Sequence, residues 1–178
     1  VLKEVYPLGE ETENRTLIYS LLCNSAVVGE KVVGNPMDVA IWEYAIQNEL
    51  QKSAETYTRI DEVPFDYQRR MMSVVVKKNG EHVLVSKGAP ESVFNKCKHA
   101  EVSGRVETIS AVQKAINDKF CNLSELGYRI LAVATRSIEH KLSYSTEDEK
   151  DLTLLGFLVF TDPPKKDAHE AIDKLNEM

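Results

Sequence analysis

Cysteine is scarce and scattered. The chain has three, Cys23, Cys97 and Cys121, an odd number, far apart and without CxxC spacing. That excludes a disulfide framework and a cysteine zinc site, and reduced thiols of a cytosolic kind are expected. The four histidines, His82, His99, His140 and His169, show no metal-ligand spacing either. Long apolar runs are missing. The longest, LLGFLVF at 154–160, falls far short of the ~20 residues that a membrane-crossing helix needs. Positive charge is not in excess: the formal net charge is −6. A general nucleic-acid binder, which needs a basic face to displace phosphate counterions, is thereby excluded. A local basic pocket in an acidic domain is not.

Reactive signatures are absent too. The sequence holds no Ser–His–Asp arrangement, no GxSxG or HExxH, no glycine-rich dinucleotide motif and no GxxxxGK[ST] phosphate loop. Nothing in it activates a nucleophile, so it reads as a chain that binds rather than one that breaks bonds. No targeting segment is visible. The chain opens on VLKEVYP and closes within the helical pattern AIDKLNEM, and both ends are read as cut from something longer.

What is present suits one folded domain with at most a small appendage: 178 residues, 43% hydrophobic and 28% charged. The strongest local signal is SVVVKKNGEHVLVSK. Two β-branched runs flank Asn79–Gly80, a pair suited to the two positive-φ positions of a type I′ turn, which predicts a β-hairpin. Residues 14–28 place Leu17, Leu21, Leu22 and Val28 on a helical stripe. Residues 36–50 repeat it with Val39, Trp42, Ile46 and Leu50, and Pro36 suits the first turn, where a missing N–H costs nothing. APESVFNKC predicts a short helix with Pro90 near its start. Residues 108–127 predict a longer amphipathic helix ending on Gly127. YRILAVATRSI and LTLLGFLVF predict strands separated by a polar connection, and DPPKKDAHEAIDKLNEM a proline break and a helix. With a hairpin, isolated strands and no strict βαβ alternation, the fold class is α+β: a mostly antiparallel sheet flanked by helices.

Three stretches carry polar groups in unusual company. PFDYQRRMMS sets Phe65 and Tyr67 on one side of an extended segment and follows them with two arginines and two methionines. These are the parts of a base-stacking, phosphate-contacting pocket. The ordinary alternative is an edge strand with Phe65 in the core and solvated arginines. VSKGAPESV ends a strand on Lys87, offers Gly88 for a sharp turn or close approach, and opens a helix. Its ordinary alternative is a plain strand-to-helix connection. In GYRILAVA, Arg129 opens an apolar strand. It gains meaning if it faces the cleft of Arg70 and Lys87, and is otherwise a surface charge.

Taken in order, GNPMDVAIWEYA, PFDYQRRMMSVVV, VSKGAPESV, GYRILAVA and GFLVFTDPPK resemble the nucleotide-binding (N) domain of P-type cation-transporting ATPases, over about residues 1 to 178. The wording VPFDYQRRMMSVVV and LGFLVFTDPPKKDA is most similar to the magnesium-transporting branch. The resemblance implies an N domain over 1–160. Residues 161–178 would then return through Asp162–Pro163–Pro164 towards a phosphorylation (P) domain. It implies ATP as ligand, Mg-ATP in the intact protein, and no catalytic or metal-binding residue in this segment. It also implies roles. Phe65 would stack on adenine, Lys87 and Gly88 would form the pocket floor, and Met72 a wall. Arg70 and Arg129 would lie near the phosphates. Asp38 stands where the family places an acidic residue near the adenine amino group, by direct contact or through water. Tyr67, where other cation pumps carry an arginine, would add an aromatic wall or pack outward.

The implied function is to present the γ-phosphate to an aspartate of the P domain in a cytoplasmic part of an integral membrane pump. P and actuator domains would be its partners, the phosphorylation loop would lie before Val1, and the other P-domain segments after Met178. This chain alone would not hydrolyse ATP. A free-standing nucleotide-sensing module and a non-catalytic interaction domain are the other readings.

Overall fold

The computed structural model describes residues 1–9 and 12–161. Its centre is the Asn79–Gly80 hairpin. Asn79 and Gly80 take φ of 50° and 87°, the two positive values a type I′ turn requires. They join β5 (Met71–Lys78) to β6 (Glu81–Gly88), paired in unbroken register from Lys78 opposite Glu81 to Met71 opposite Gly88. On one side of this hairpin lies β4 (Thr58–Asp66), the edge strand. On the other lie β9 (Arg129–Ile138) and β10 (Leu152–Phe160). One edge of β10 pairs with β9. Its other edge is shared: the first residues pair with β7 (Cys97–Val102) and the last with β1 (Leu2–Pro7). Strand β8 (Arg105–Thr108) closes the sheet beyond β7. The β7–β10 pairing is parallel and the other pairings of this sheet are antiparallel. The α+β class read from the sequence is the observed one.

Helices cover both faces of this sheet, and each face has its own core. On one face α1 (Glu13–Leu22), α2 (Pro36–Gln47) and the short α3 (Gln51–Ala54) pack Leu17, Leu21, Ile41 and Ala45 on Val74, Val76, Val85 and Leu158. On the other, α4 (Pro90–Phe94) and α5 (Ile109–Glu125) pack Val93, Ile116 and Leu123 on Val75, Leu84, Leu154 and Phe157. Because β5 alternates between these cores, Met72 faces α2 and Ser73 faces the opposite way. Burial on both faces explains why LTLLGFLVF is almost continuously apolar.

Two helical expectations need correction. Val28 does not extend the α1 stripe; α1 stops at Leu22, and Val28 lies in β2 (Val27–Val28), paired with β3 (Val32–Val33) in a separate two-stranded ribbon. The helix at 36–50 is α2, but it ends at Gln47 and buries Asp38, Ala40, Ile41 and Ala45; of the expected stripe, Trp42 and Leu50 pack half-buried against that core and Ile46 does not. Ile46 is 45% exposed. The sequence pattern ranks residues by apolarity, whereas the inward face here is led by a charged residue with a buried partner. The expected break and helix after Asp162 lie outside the described residues. Among the described residues, no helix is long and apolar enough to cross a membrane, no group of metal-ligating side chains gathers, and the three cysteines are unbridged.

Candidate functional site

The N-terminus of α2 is built for a carboxylate. Asn35 caps it in extended geometry, its side-chain oxygen accepting from the N–H groups of Met37 and Asp38, and Pro36 fills the first turn. Asp38 therefore sits two residues into the helix, where the unpaired N–H groups favour negative charge. Its side chain turns inward towards β6 and meets Lys87. Nζ of Lys87 donates to Oδ1 of Asp38 at 2.6 Å, and both side chains are only 4% exposed. The other carboxylate oxygen, Oδ2, accepts from Ser25 N at 3.0 Å, Ser25 Oγ at 2.6 Å and Asn35 Nδ2 at 2.7 Å. Burial alone would raise the Asp38 pKa. The Lys87 ammonium and the Ser25 hydrogen bonds outweigh it and hold the carboxyl below its ordinary range. Beneath the pair, burial pushes the Cys23 thiol up to about 11 despite the nearby Lys87 charge. Cys23 is thus a packing residue, its Sγ 3.6 Å from the carbonyl of Met72.

A pH dependence follows. The folded pKa of Asp38 lies below the ~3.9 of an unfolded aspartate. Its stabilising contribution is therefore complete above that value and lost as pH falls through the folded one. Asp66, held down by the Arg69 N–H, and Asp148, held down by Lys141, act in the same direction. Unfolding free energy measured in urea should fall between about pH 5 and pH 2, and Asp38→Asn should make that limb shallower. An unaltered slope in the variant would contradict the assignment.

The ion pair forms the floor of a cleft of about 200 Å³. Its walls come from separate parts of the chain: Ser25 after α1, Asn35, Met37 and Asp38 from α2, Glu62, Pro64 and Phe65 from β4, Arg70 from the following turn, Met72 from β5, Lys87 and Gly88 from β6, and Leu131 from β9. The volume is below the roughly 300–1,000 Å³ of sites that enclose a whole drug-sized ligand. It suits one heterocycle with the rest of the ligand outside. Phe65 is 52% exposed at the mouth, a ring face open to stacking. Tyr67 does not line the cleft. It packs outward, 89% exposed, edge-on to Phe65 with ring centroids 5.3 Å apart.

The two adjacent arginines part company. Arg70, at φ 51°, turns to the cleft and, among the described residues, its side chain makes a long, exposed contact of 3.6 Å with Glu91. A pair of that kind holds its guanidinium weakly. Arg69 goes to the opposite face. Its Nη1 binds both oxygens of fully buried Glu149 at 2.6 and 2.5 Å, and its Nη2 donates to the Pro64 carbonyl at 2.6 Å. Glu149 also accepts from Ser73 Oγ, which is 2.7 Å from Ser86 Oγ. This network fixes the turn that carries Phe65 and Arg70. It differs from the ordinary alternative read from the sequence, since Phe65 is not in the core and Arg69 is not solvated.

Asp38, Phe65, Arg70, Met72, Lys87 and Gly88 thus share one cleft. Arg129 is not on its wall. It opens β9 on the face of Leu131, two residues or ~7 Å further along the strand. The approach that Gly88 permits is between strands: a Cβ there would lie 2.5 Å from the Arg70 carbonyl oxygen and 2.4 Å from Met71 Cβ. The sequence reading missed Ser25, Asn35, Arg69 and Glu149. Asn35 was within reach, because Asn before Pro at a helix start is a capping signature. Ser25, Arg69 and Glu149 carry no local signal.

Similarity to known proteins extends over nearly the whole chain. The family model described as P-type ATPase, cytoplasmic domain N, matches residues 13–167. A magnesium-transporting ATPase, P-type 1, of Escherichia coli K12 is 33% identical over 98% of this chain and 20% of its own length. A calcium-transporting ATPase 1 of Lactococcus lactis is 29% identical over 96% of this chain and 20% of its own. A calcium-transporting ATPase of Bacillus subtilis is 30% identical over 98% and 21%. The chain spans about a fifth of the length of these curated relatives. With a family match over most of its residues, the chain belongs to the P-type ATPases, as their cytoplasmic domain N.

Proposed function

We propose that the cleft binds ATP and that the domain presents the γ-phosphate to an aspartate in the P domain of a longer chain. Adenine stacks on Phe65 above the Lys87–Asp38 floor, with Met72 as a wall and Gly88 holding the floor close to β5. The triphosphate leaves the mouth past Arg70 towards Arg129. Catalysis in the whole protein is then positioning and charge neutralisation across a domain closure, with Mg-ATP as substrate. This domain contributes no reacting group. Its partners are the P and actuator domains of the same pump, on the cytoplasmic side of a membrane. The whole protein's proposed activity is ATP-driven cation transport, magnesium being the cargo named for relatives at 33% identity.

The observation that carries this reading is the convergence of six residues, from three distant stretches of a P-type N domain, on a cleft of base size. ATP titration followed by amide NMR tests it. Signals around Asp38, Phe65 and Lys87 should shift at millimolar ATP, and Phe65→Ala should weaken binding by about tenfold, the worth of one stacked ring, while the spectrum stays folded. If those signals do not move, the nucleotide reading falls and an interaction domain takes its place.

A further inference from the structure

We infer that Arg69 and Glu149 are positioning residues of the nucleotide site: from the face opposite the cleft, they hold the backbone that aims Phe65. The inference rests on the nucleotide reading above and concerns how its stacking ring is held. Phe65 needs such support. It lies on β4, which among the described strands pairs with β5 alone and forms the edge of the sheet. The ladder between these two strands is interrupted where the ring stands. Val63 is opposite Ser73 and Asp66 is opposite Met71, so Pro64 and Phe65 together face the single residue Met72. A bulge of this kind re-aims a side chain and leaves backbone outside the ladder. Pro64 has no N–H with which to rejoin it. Packing holds the ring weakly, since it is 52% exposed and its aromatic neighbour Tyr67 is 89% exposed.

The Arg69 guanidinium supplies the missing tie. Oδ1 of Asp66 accepts from the N–H groups of Gln68 and Arg69 at 2.8 and 2.9 Å, closing the turn from which Arg69 projects. Its Nη2 donates to the Pro64 carbonyl at 2.6 Å, the oxygen of the peptide that joins Pro64 to Phe65, while Nη1 holds both oxygens of Glu149. Glu149 is 0% exposed and accepts in turn from Ser73 Oγ on β5 at 2.7 Å. One end of the tie is therefore buried on β5 and the other is at the bulge. The connection that carries Glu149 meets β4 once more, where Tyr144 N donates to Asp61 Oδ2 at 3.0 Å. A buried ion pair adds little net stability over apolar groups of similar volume. What the Arg69 fork adds is direction: a guanidinium reaches a carboxylate and a backbone carbonyl at fixed angles, and an ammonium does not. The segment 144–149 thus backs the edge strand behind the cleft, and the placement of the Phe65 ring depends on it.

The test is a double-mutant cycle on the ATP affinity of this chain, read as amide shifts of the Lys87 neighbours. Arg69→Lys keeps a positive charge beside Glu149 and loses the fork. Glu149→Gln keeps the shape and an acceptor for Ser73 and loses the charge. Each should weaken ATP binding by about fivefold, part of the roughly tenfold that the stacked ring is worth. In a Phe65→Ala background each should change it by less than about twofold, because the group being aimed is gone. A role in stability alone moves the urea midpoint and leaves the affinity of the folded protein where it was. Unchanged affinity in either folded variant would overturn the inference, and so would equal weakening in both backgrounds; either result leaves the nucleotide reading intact. If one variant does not fold, the other decides. If neither folds, the pair is a structural requirement of the core and the inference is overturned. If the unaltered chain binds no ATP, the nucleotide reading itself fails and this inference with it.

Discussion

Replacing Asp38 by alanine should lower the unfolding free energy by about 3–5 kcal/mol, the cost of leaving one charge of a buried pair without its partner. Lys87 is 4% exposed and Asp38 is its ion-pair partner, so the variant strands an ammonium in the protein interior. It also strands the Ser25 and Asn35 donors that converge on Oδ2. The reverse deletion is milder. Lys87→Met removes the positive charge and keeps much of the stem's volume, and Asp38 retains three hydrogen bonds, so a loss of about 1–2 kcal/mol is expected. The double variant, with neither charge, should be more stable than Asp38→Ala alone. Urea unfolding of the three proteins measures this ordering. If Asp38→Ala costs no more than Lys87→Met, the carboxylate is not the hub of the floor.

That asymmetry also marks how far the sequence could be read. The Asn79–Gly80 hairpin, Pro36, Pro90, Gly127 and the strands 129–138 and 152–160 are local statements, and each has a local physical cause. Turn chemistry, capping and β-branched runs act within a few residues, so they are visible without the fold. The inward face of α2 was not visible, because its reason lies 49 residues away on β6. The partition of Arg69 and Arg70 to opposite faces was hidden for the same cause. It depends on Glu149, 80 residues distant in an otherwise polar connection. Strands β1 and β7 carry weak patterns of their own and are held by the shared edge of β10. For the cleft, Asp38, Phe65, Lys87 and their neighbours were nameable through the order of five short stretches. The hydrogen bonds that hold Asp38 were not, since Ser25 and Asn35 meet its carboxylate only in the fold.

Gly88→Ala should cost about 3 kcal/mol, the upper part of the usual range for overpacking, and lower the melting temperature by roughly 6–12 °C. The cause is steric. Gly88 stands opposite Met71 at the end of the hairpin, and the chain locks there through Ala89 N donating to the Arg70 carbonyl at 2.9 Å. An added Cβ would fall 2.5 Å from that same oxygen and 2.6 Å from Met71 Cα. Both are backbone atoms, so no side chain can rotate to make room and the strands themselves must separate. The next pair along the ladder is Met72 with Lys87, so the displacement reaches the floor of the cleft and the Asp38 contact at once. Nucleotide affinity should therefore fall together with stability. Gly80→Ala is the matching control. Its Cβ would meet nothing within 4 Å, and only φ of 87° opposes it, so about 1 kcal/mol is expected from backbone strain. Thermal unfolding and ATP titration of the two variants separate the effects. If Gly88→Ala melts within a degree or two of the Gly80→Ala protein, the close approach of β5 and β6 is not what requires glycine in the Lys-Gly-Ala-Pro turn.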